Sequence, residues 1–94
     1  MSATGFPISM LVVLHELSRK GPMTPKQLRK EVKLSPRSVS SALRRLTDTE
    51  LCKRVPNLSD MRQPLYCVNI EKMKELQINF EKERTMMQIY LHPI

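Results

Sequence analysis

Apolar residues recur every third or fourth position along most of this chain and switch to alternation once. Residues 8–20, ISMLVVLHELSRK, carry a broad apolar stripe through Met10, Leu11, Leu14 and Leu17 and stop at Gly21-Pro22, which predicts a helix. MTPKQLRKEV follows, with Thr24 placed as a helix cap and Pro25 at the first helical position, where its missing N–H costs nothing. Leu28 and Val32 are four apart and share a face. The next stretch, LSPRSVSSALRRLTD, uses the same device, Ser35 capping and Pro36 opening. A tight turn at Lys33-Leu34 between two short helices is the signature of a helix-turn-helix.

After Glu50 the period becomes two. LCKRVPN and PLYCVN read as strands, and LSDMRQ between them reads as the loop of a hairpin. Pro56 and Pro64 flank that loop and cannot donate to a ladder, so the hairpin is expected to be short and peripheral. Helical periodicity resumes at Ile70 and runs to about Leu91, with Pro93 beyond. The expected architecture is α+β but mostly α. It comprises three helices plus a β-hairpin over residues 1–69, and a long C-terminal helix over 70–94.

The third helix has an unusual polar side. LSPRSVSSALRRL holds four serines and three arginines, and no acid follows until Asp48. At about 100° per residue, Val39, Ala42, Leu43 and Leu46 fall in one arc and face a core. Arg37, Ser41, Arg44 and Asp48 take the opposite arc, with Ser38 and Arg45 on one flank and Ser40 on the other. Small hydroxyls let a helix approach another surface closely and exchange hydrogen bonds there. Arginine forks onto guanine or clamps phosphate, and a helix N-terminus favours a phosphate. Such a face is suited to a DNA major groove, although a solvated basic helix has the same outline.

Charge placement supports the groove. Of the net +7, the window from Arg19 to Arg62 holds twelve basic and four acidic residues, and the rest of the chain is nearly neutral. A concentrated basic block points to a polyanion, either nucleic acid or an anionic membrane surface. The hairpin favours the former, because Arg54, Asp60 and Arg62, with Asn57, Ser59 and Gln63, are expected around its loop. A basic loop beside such a helix is a wing that can insert an arginine into the minor groove, and Asp60 can hold Arg62 extended.

These residues carry a family resemblance. GPMTPKQLRKEVKLSPRSVSSALRRLTDTELCKRVPNLSDMRQPLYCV, residues 21–68, resembles the winged helix-turn-helix of MarR-type transcription regulators over about half of the chain. The carriers are LSPRSVSSALRRL, then ELCKRVPN, then SDMRQ, which is similar to that family's Asp-x-Arg. The resemblance implies that Arg37, Ser38 and Ser41 read bases, that Arg44 and Arg45 hold phosphate, and that Arg62 enters the minor groove. Family members carry longer terminal helical regions that build a dimer and a small-molecule pocket. With one helix on each side here, the resemblance does not reach an effector pocket. Small archaeal or viral winged-helix proteins that dimerise through one C-terminal helix are also similar.

The expected function is therefore a dimeric, sequence-selective regulator of transcription, most simply a repressor, with helix 35–49 in the major groove and the 56–64 wing in the minor groove of double-stranded DNA. Its contact set is Ser35, Arg37, Ser38, Ser40, Ser41, Arg44, Arg45, Arg54, Asp60 and Arg62. Residues 71–91 span roughly 30 Å as a helix. On it Met73, Leu76, Phe80, Met87 and Leu91 form a stripe, flanked by Tyr90 and interrupted by Glu83 and Arg84. That stripe either meets its copy in a homodimer, with Arg84 pairing across the seam, or folds back on Met10, Leu14 and Leu17. Two other functions remain open: a winged-helix protein-interaction module, and a nonspecific architectural DNA-binding protein.

Other chemistry finds little support. Two glycines, no phosphate-cradling loop and no nucleophile with a base argue against an enzyme. Cys52 and Cys67 lack metal-ligand spacing, and His15 and His92 stand alone, so neither a metal nor a cofactor is expected. Strand pairing would bring the two thiols near each other, which leaves their redox state open. ISMLVVL is too short to span a bilayer and has no basic lead-in, so neither a membrane segment nor a signal peptide is expected. A cytoplasmic, nucleoid-associated protein fits these features.

Overall fold

The computed structural model describes residues 7–76 and Tyr90. Along the chain run α1 (Ile8–Lys20), α2 (Pro25–Glu31), α3 (Pro36–Asp48), β1 (Cys52–Val55), β2 (Leu65–Val68) and α4 (Ile70–Glu75). Local chemistry accounts for most of the boundaries. Gly21 closes α1 at φ +87, where a side chain would be strained, and its N–H reaches Leu17 O at 2.9 Å. Thr24 caps α2 in a reciprocal box. Its hydroxyl accepts from Gln27 N–H, and the Gln27 side-chain oxygen accepts from Thr24 N–H.

α1 is the centre of the molecule. Met10 through Leu14 are all buried, and so is Leu17, because α2, α3 and β2 pack around it. Val12 and Val13, outside the apolar stripe read from the sequence, are as buried as the stripe itself. Glu16 is buried as well, and Arg19 Nη2 donates to its carboxylate at 2.7 Å. A buried carboxylate requires such a partner.

β1 and β2 form an antiparallel hairpin in the register Cys52↔Val68, Lys53↔Cys67, Arg54↔Tyr66 and Val55↔Leu65. Opposed residues share a face, so Cys52 and Cys67 lie on opposite faces and both remain free thiols. Strand pairing thus occurs without joining the cysteines. Burial, helped by the neighbouring Cys67, pushes the Cys52 thiol up to about 12. It is a protonated, unreactive core thiol at neutral pH. On the other edge of β2, Met23 exchanges backbone hydrogen bonds with Tyr66 at 3.1 and 2.8 Å, a bridge that ties the entry of α2 to the sheet.

Asn69 caps α4 by accepting from Lys72 N–H at 3.2 Å. Met73 is half-buried against the core, with Ser18 Oγ 3.6 Å from its sulfur, and Leu76 is exposed. The rest of the expected C-terminal helix lies outside the described residues, and with it Phe80, Glu83, Arg84, Met87 and Leu91. Tyr90 is the exception. It lies in a turn, packs against this chain's own core, and its carbonyl accepts from Lys33 N–H. Among the described residues no helix is long and apolar enough to cross a membrane.

The exit of α3 is a complete Schellman closure. Leu51 N–H returns to Leu46 O at 2.9 Å and Glu50 N–H to Thr47 O at 3.0 Å, while Glu50 takes φ +64. Leu46 and Leu51 are both buried and supply the apolar contact that accompanies this motif. A left-handed conformation is costly for glutamate and free for glycine. Glu50→Gly is therefore expected to stabilise the fold by about 0.5–1 kcal/mol. Thermal unfolding followed by circular dichroism should show Tm raised by roughly 3–6 °C; an unchanged or lower Tm contradicts the closure.

Candidate nucleic-acid interface

α3 packs Val39, Ala42, Leu43 and Leu46 inward and leaves Arg37, Ser40, Ser41, Arg44, Arg45 and Asp48 exposed. The arcs read from the sequence are the arcs of the structure. The serines, however, divide by role. Ser35 caps the helix, accepting from Ser38 N–H at 3.1 Å and donating its hydroxyl proton to Ser38 Oγ at 3.0 Å. Ser38 is half-buried and keeps its own hydroxyl proton for another acceptor. Ser40 and Ser41 are unencumbered, so the adaptable hydroxyls sit one turn further into the helix than the cap.

Among the described residues Arg37, Arg44, Arg45 and Arg54 make no ion pair, so their guanidinium groups face solvent with donors to spare. Arg54 is not at the hairpin tip, where the sequence reading put it. It is in β1 opposite Tyr66, on the hairpin face turned towards α3, because the register sets that alternation. An open cleft of about 260 Å³ lies between α3, the start of α2 and this face. It is lined by Ser40, Arg44, Thr47, Asp48, Arg54 and Tyr66 together with Pro25 and Leu43. Two guanidinium groups on one cleft suit it to a phosphate oxygen. The exposed Lys26, Arg29 and Lys30 extend the positive surface onto α2, a contribution visible in their spacing around buried Leu28 but absent from the expected contact set.

Residues 56–64 link the strands through two consecutive turns. Asp60 N–H bonds Asn57 O at 3.2 Å, and Gln63 N–H bonds Asp60 O at 3.0 Å. Asn57 Oδ1 accepts from Ser59 N–H at 3.1 Å, the turn-forming use of this side chain. The Asp60 carboxylate accepts from Arg62 N–H at 3.1 Å, Arg62 Nε at 3.3 Å and Gln63 Nε2 at 3.2 Å. Asp60 is thus the clasp of the wing, and Arg62 projects from it with its side chain 91% exposed.

A model of the MarR family matches residues 7–63, from the start of α1 to the wing. The chain belongs to the MarR family. Solved structures agree in fold. BpsR of Bordetella bronchiseptica, whose DNA binding is regulated by 6-hydroxynicotinic acid, superposes with TM-score 0.75 at 15% identity, over 89% of this chain and 59% of its own. The PcaV transcriptional regulator of Streptomyces coelicolor, in complex with its natural ligand, gives 0.73 at 18% identity, over 94% and 62%. A mutant MarR from E. coli complexed with operator DNA gives 0.69 at 17%, over 88% and 62%. This chain therefore spans about three-fifths of the length of these structures. No curated protein matches the sequence.

In this MarR-family chain the wing clasp has a pH signature. Hydrogen bonds from the Arg62 backbone N–H, then from its side chain, with Gln63 adding less, hold the Asp60 carboxyl below the usual carboxylate range. The folded value is depressed, so the clasp's contribution is fully present above the unfolded value. It is lost only as pH falls through the lower folded one. The Arg62 amide resonance is expected to keep its ordered position through the ordinary carboxylate range and to move only at lower pH. In Asp60→Ala that titration should vanish and the wing amides should exchange faster with solvent. A titration in the ordinary carboxylate range would contradict the clasp.

Proposed function

We propose that this chain is a sequence-selective, double-stranded-DNA-binding transcription regulator acting as a dimeric repressor, with α3 in the major groove and the 56–64 wing in the neighbouring minor groove. The observation that carries the proposal is the outward arc of α3. Its arginines lack ion-pair partners among the described residues, its first two turns hold no acid, and it borders the arginine-bearing face of the hairpin across the cleft. Membership of the MarR family and the operator-DNA complex of a structural neighbour support the same reading.

Roles follow from exposure. Arg37, Ser38, Ser40 and Ser41, near the N-terminal end of α3, reach base edges. Arg44, Arg45 and Arg54 hold phosphates, Arg62 enters the minor groove, and Ser35 and Asp60 keep α3 and the wing in shape. The 70–94 segment supplies the contact to a second copy, from the exposed Leu76 onward through Phe80, Arg84, Met87 and Leu91, while Met73 packs on this chain's own core. Two α3 helices related by a two-fold axis read half-sites about 34 Å apart. A repressor of this kind works on the nucleoid in the cytoplasm and performs no catalysis.

Selection of bound duplexes from a random DNA pool tests the proposal. The expected product is a two-fold symmetric site with half-sites one helical turn apart. On that site Arg44→Ala should flatten the dependence of log K on log salt by about one unit. Arg62→Ala should weaken binding mainly where the flanking minor groove is A/T-rich and narrow. Equal binding to every duplex would make the chain an architectural protein instead.

A further inference from the structure

Leu58 and Met61 are 89% and 71% exposed, the most exposed large apolar side chains among the described residues. Both stand in the wing, on either side of the Asp60 clasp. Two of this loop's polar side chains are turned to its own maintenance. Asn57 and Asp60 spend their oxygens on Ser59, Arg62 and Gln63. Facing water are Leu58, Met61 and the Arg62 guanidinium, beside the exposed Pro56 and Ser59. Leu58 and Met61, three positions apart, put two large apolar side chains together on one short loop rather than scattering them singly.

We infer that Leu58 and Met61 are contact residues of the wing, packing on the deoxyribose wall of the minor groove beside the inserted Arg62. This rests on the duplex-DNA reading above. The two surfaces match in chemistry. The floor of the minor groove is a row of adenine N3 and thymine O2 acceptors, which suits a guanidinium. Its walls are sugar C–H groups, which suit aliphatic and thioether side chains. Proteins of the minor groove commonly set apolar side chains beside basic ones. Continuity also favours DNA, since Leu58 and Met61 share the loop that carries Arg62. Apolar contact releases no counterions, so this part of the affinity is independent of salt, unlike the arginine contacts.

The experiment measures binding of the full chain to its selected duplex from low to high salt, for wild type, Leu58→Ser, Met61→Ser, the double variant and Leu58→Met. The double variant is expected to bind about tenfold more weakly at every salt concentration, with an unchanged slope and an unchanged Tm. Leu58→Met, which keeps the apolar contact, should bind within about twofold of wild type. Double-variant binding equal to wild type overturns this inference and leaves the DNA reading standing. A loss that appears as a shallower salt slope also overturns it, because it makes the contact a phosphate one. Anionic phosphatidylglycerol vesicles retaining the wild type but not the double variant would assign the loop to lipid and overturn it too. A wild type that binds no duplex overturns both readings together.

Discussion

The rotation of α3 about its own axis is the constraint on which the rest depends. Val39, Ala42, Leu43 and Leu46 are all but removed from water against α1 and its neighbours, each side chain larger than alanine contributing roughly 1.5–3 kcal/mol. Against that, Ser38, Ser40 and Ser41 weaken the helix by about 0.5 kcal/mol each. Packing wins by a wide margin, so a segment with modest helix propensity forms one helix in one orientation. The outward direction of the arginines and serines is a consequence of what must be hidden. α1 can receive this face because it is apolar nearly all round, with Glu16 paired to Arg19 where it is not.

The hairpin inherits its position from the end of the same helix. The closure at Glu50 turns the chain, and Leu51 enters the core beside Leu46. Asn69 then fastens the far end of the hairpin to that turn. Its N–H bonds Leu51 O at 2.8 Å, its side-chain amide donates to Glu50 O at 3.1 Å, and its Oδ1 caps α4. One asparagine thus joins the helix exit, the base of the hairpin and the next helix. The wing is rigid at its base through backbone bonds and at its tip through Asp60. Its aim relative to α3 does not depend on the side chains it presents.

Much of this was legible in the sequence, for identifiable reasons. Thr24-Pro25 and Ser35-Pro36 mark helix starts through covalent geometry and a short-range hydrogen bond, both of which the structure contains. The inward arc of α3 follows from a period of 3.6 with few exceptions, and the strands follow from alternation and flanking prolines. What was not legible depends on which segments meet. Met23 pairs with Tyr66, 43 positions further along the sequence, and nothing near Met23 alternates. Val12 and Val13 are buried because α1 is surrounded, a property of its neighbours rather than of its own stripe. Arg54 was misplaced because strand register, not nearness to the loop, decides which face a residue takes. Ser35 is a cap in the structure, as its place before Pro36 implies.

The distribution of acids follows the same economy. Between Arg19 and Arg62, Glu31 is paired to Lys20 at 2.9 Å and Asp60 to Arg62 at 3.3 Å, each with a neighbouring cation. Asp48 and Glu50 are left at the C-terminal end of α3, away from the turns suited to base contact. The half of α3 that faces a partner first therefore keeps an undiluted positive potential. The residues that hold the fold and those that face outward overlap on α3 only at Ser35 and Ser38. At Arg37, Ser40, Ser41, Arg44 and Arg45 side chains can change without opening a cavity or stranding a buried polar group. A scaffold divided in this way can alter what it recognises through substitutions that cost little stability, and the capping Ser35 with its partner Ser38 marks where that freedom ends.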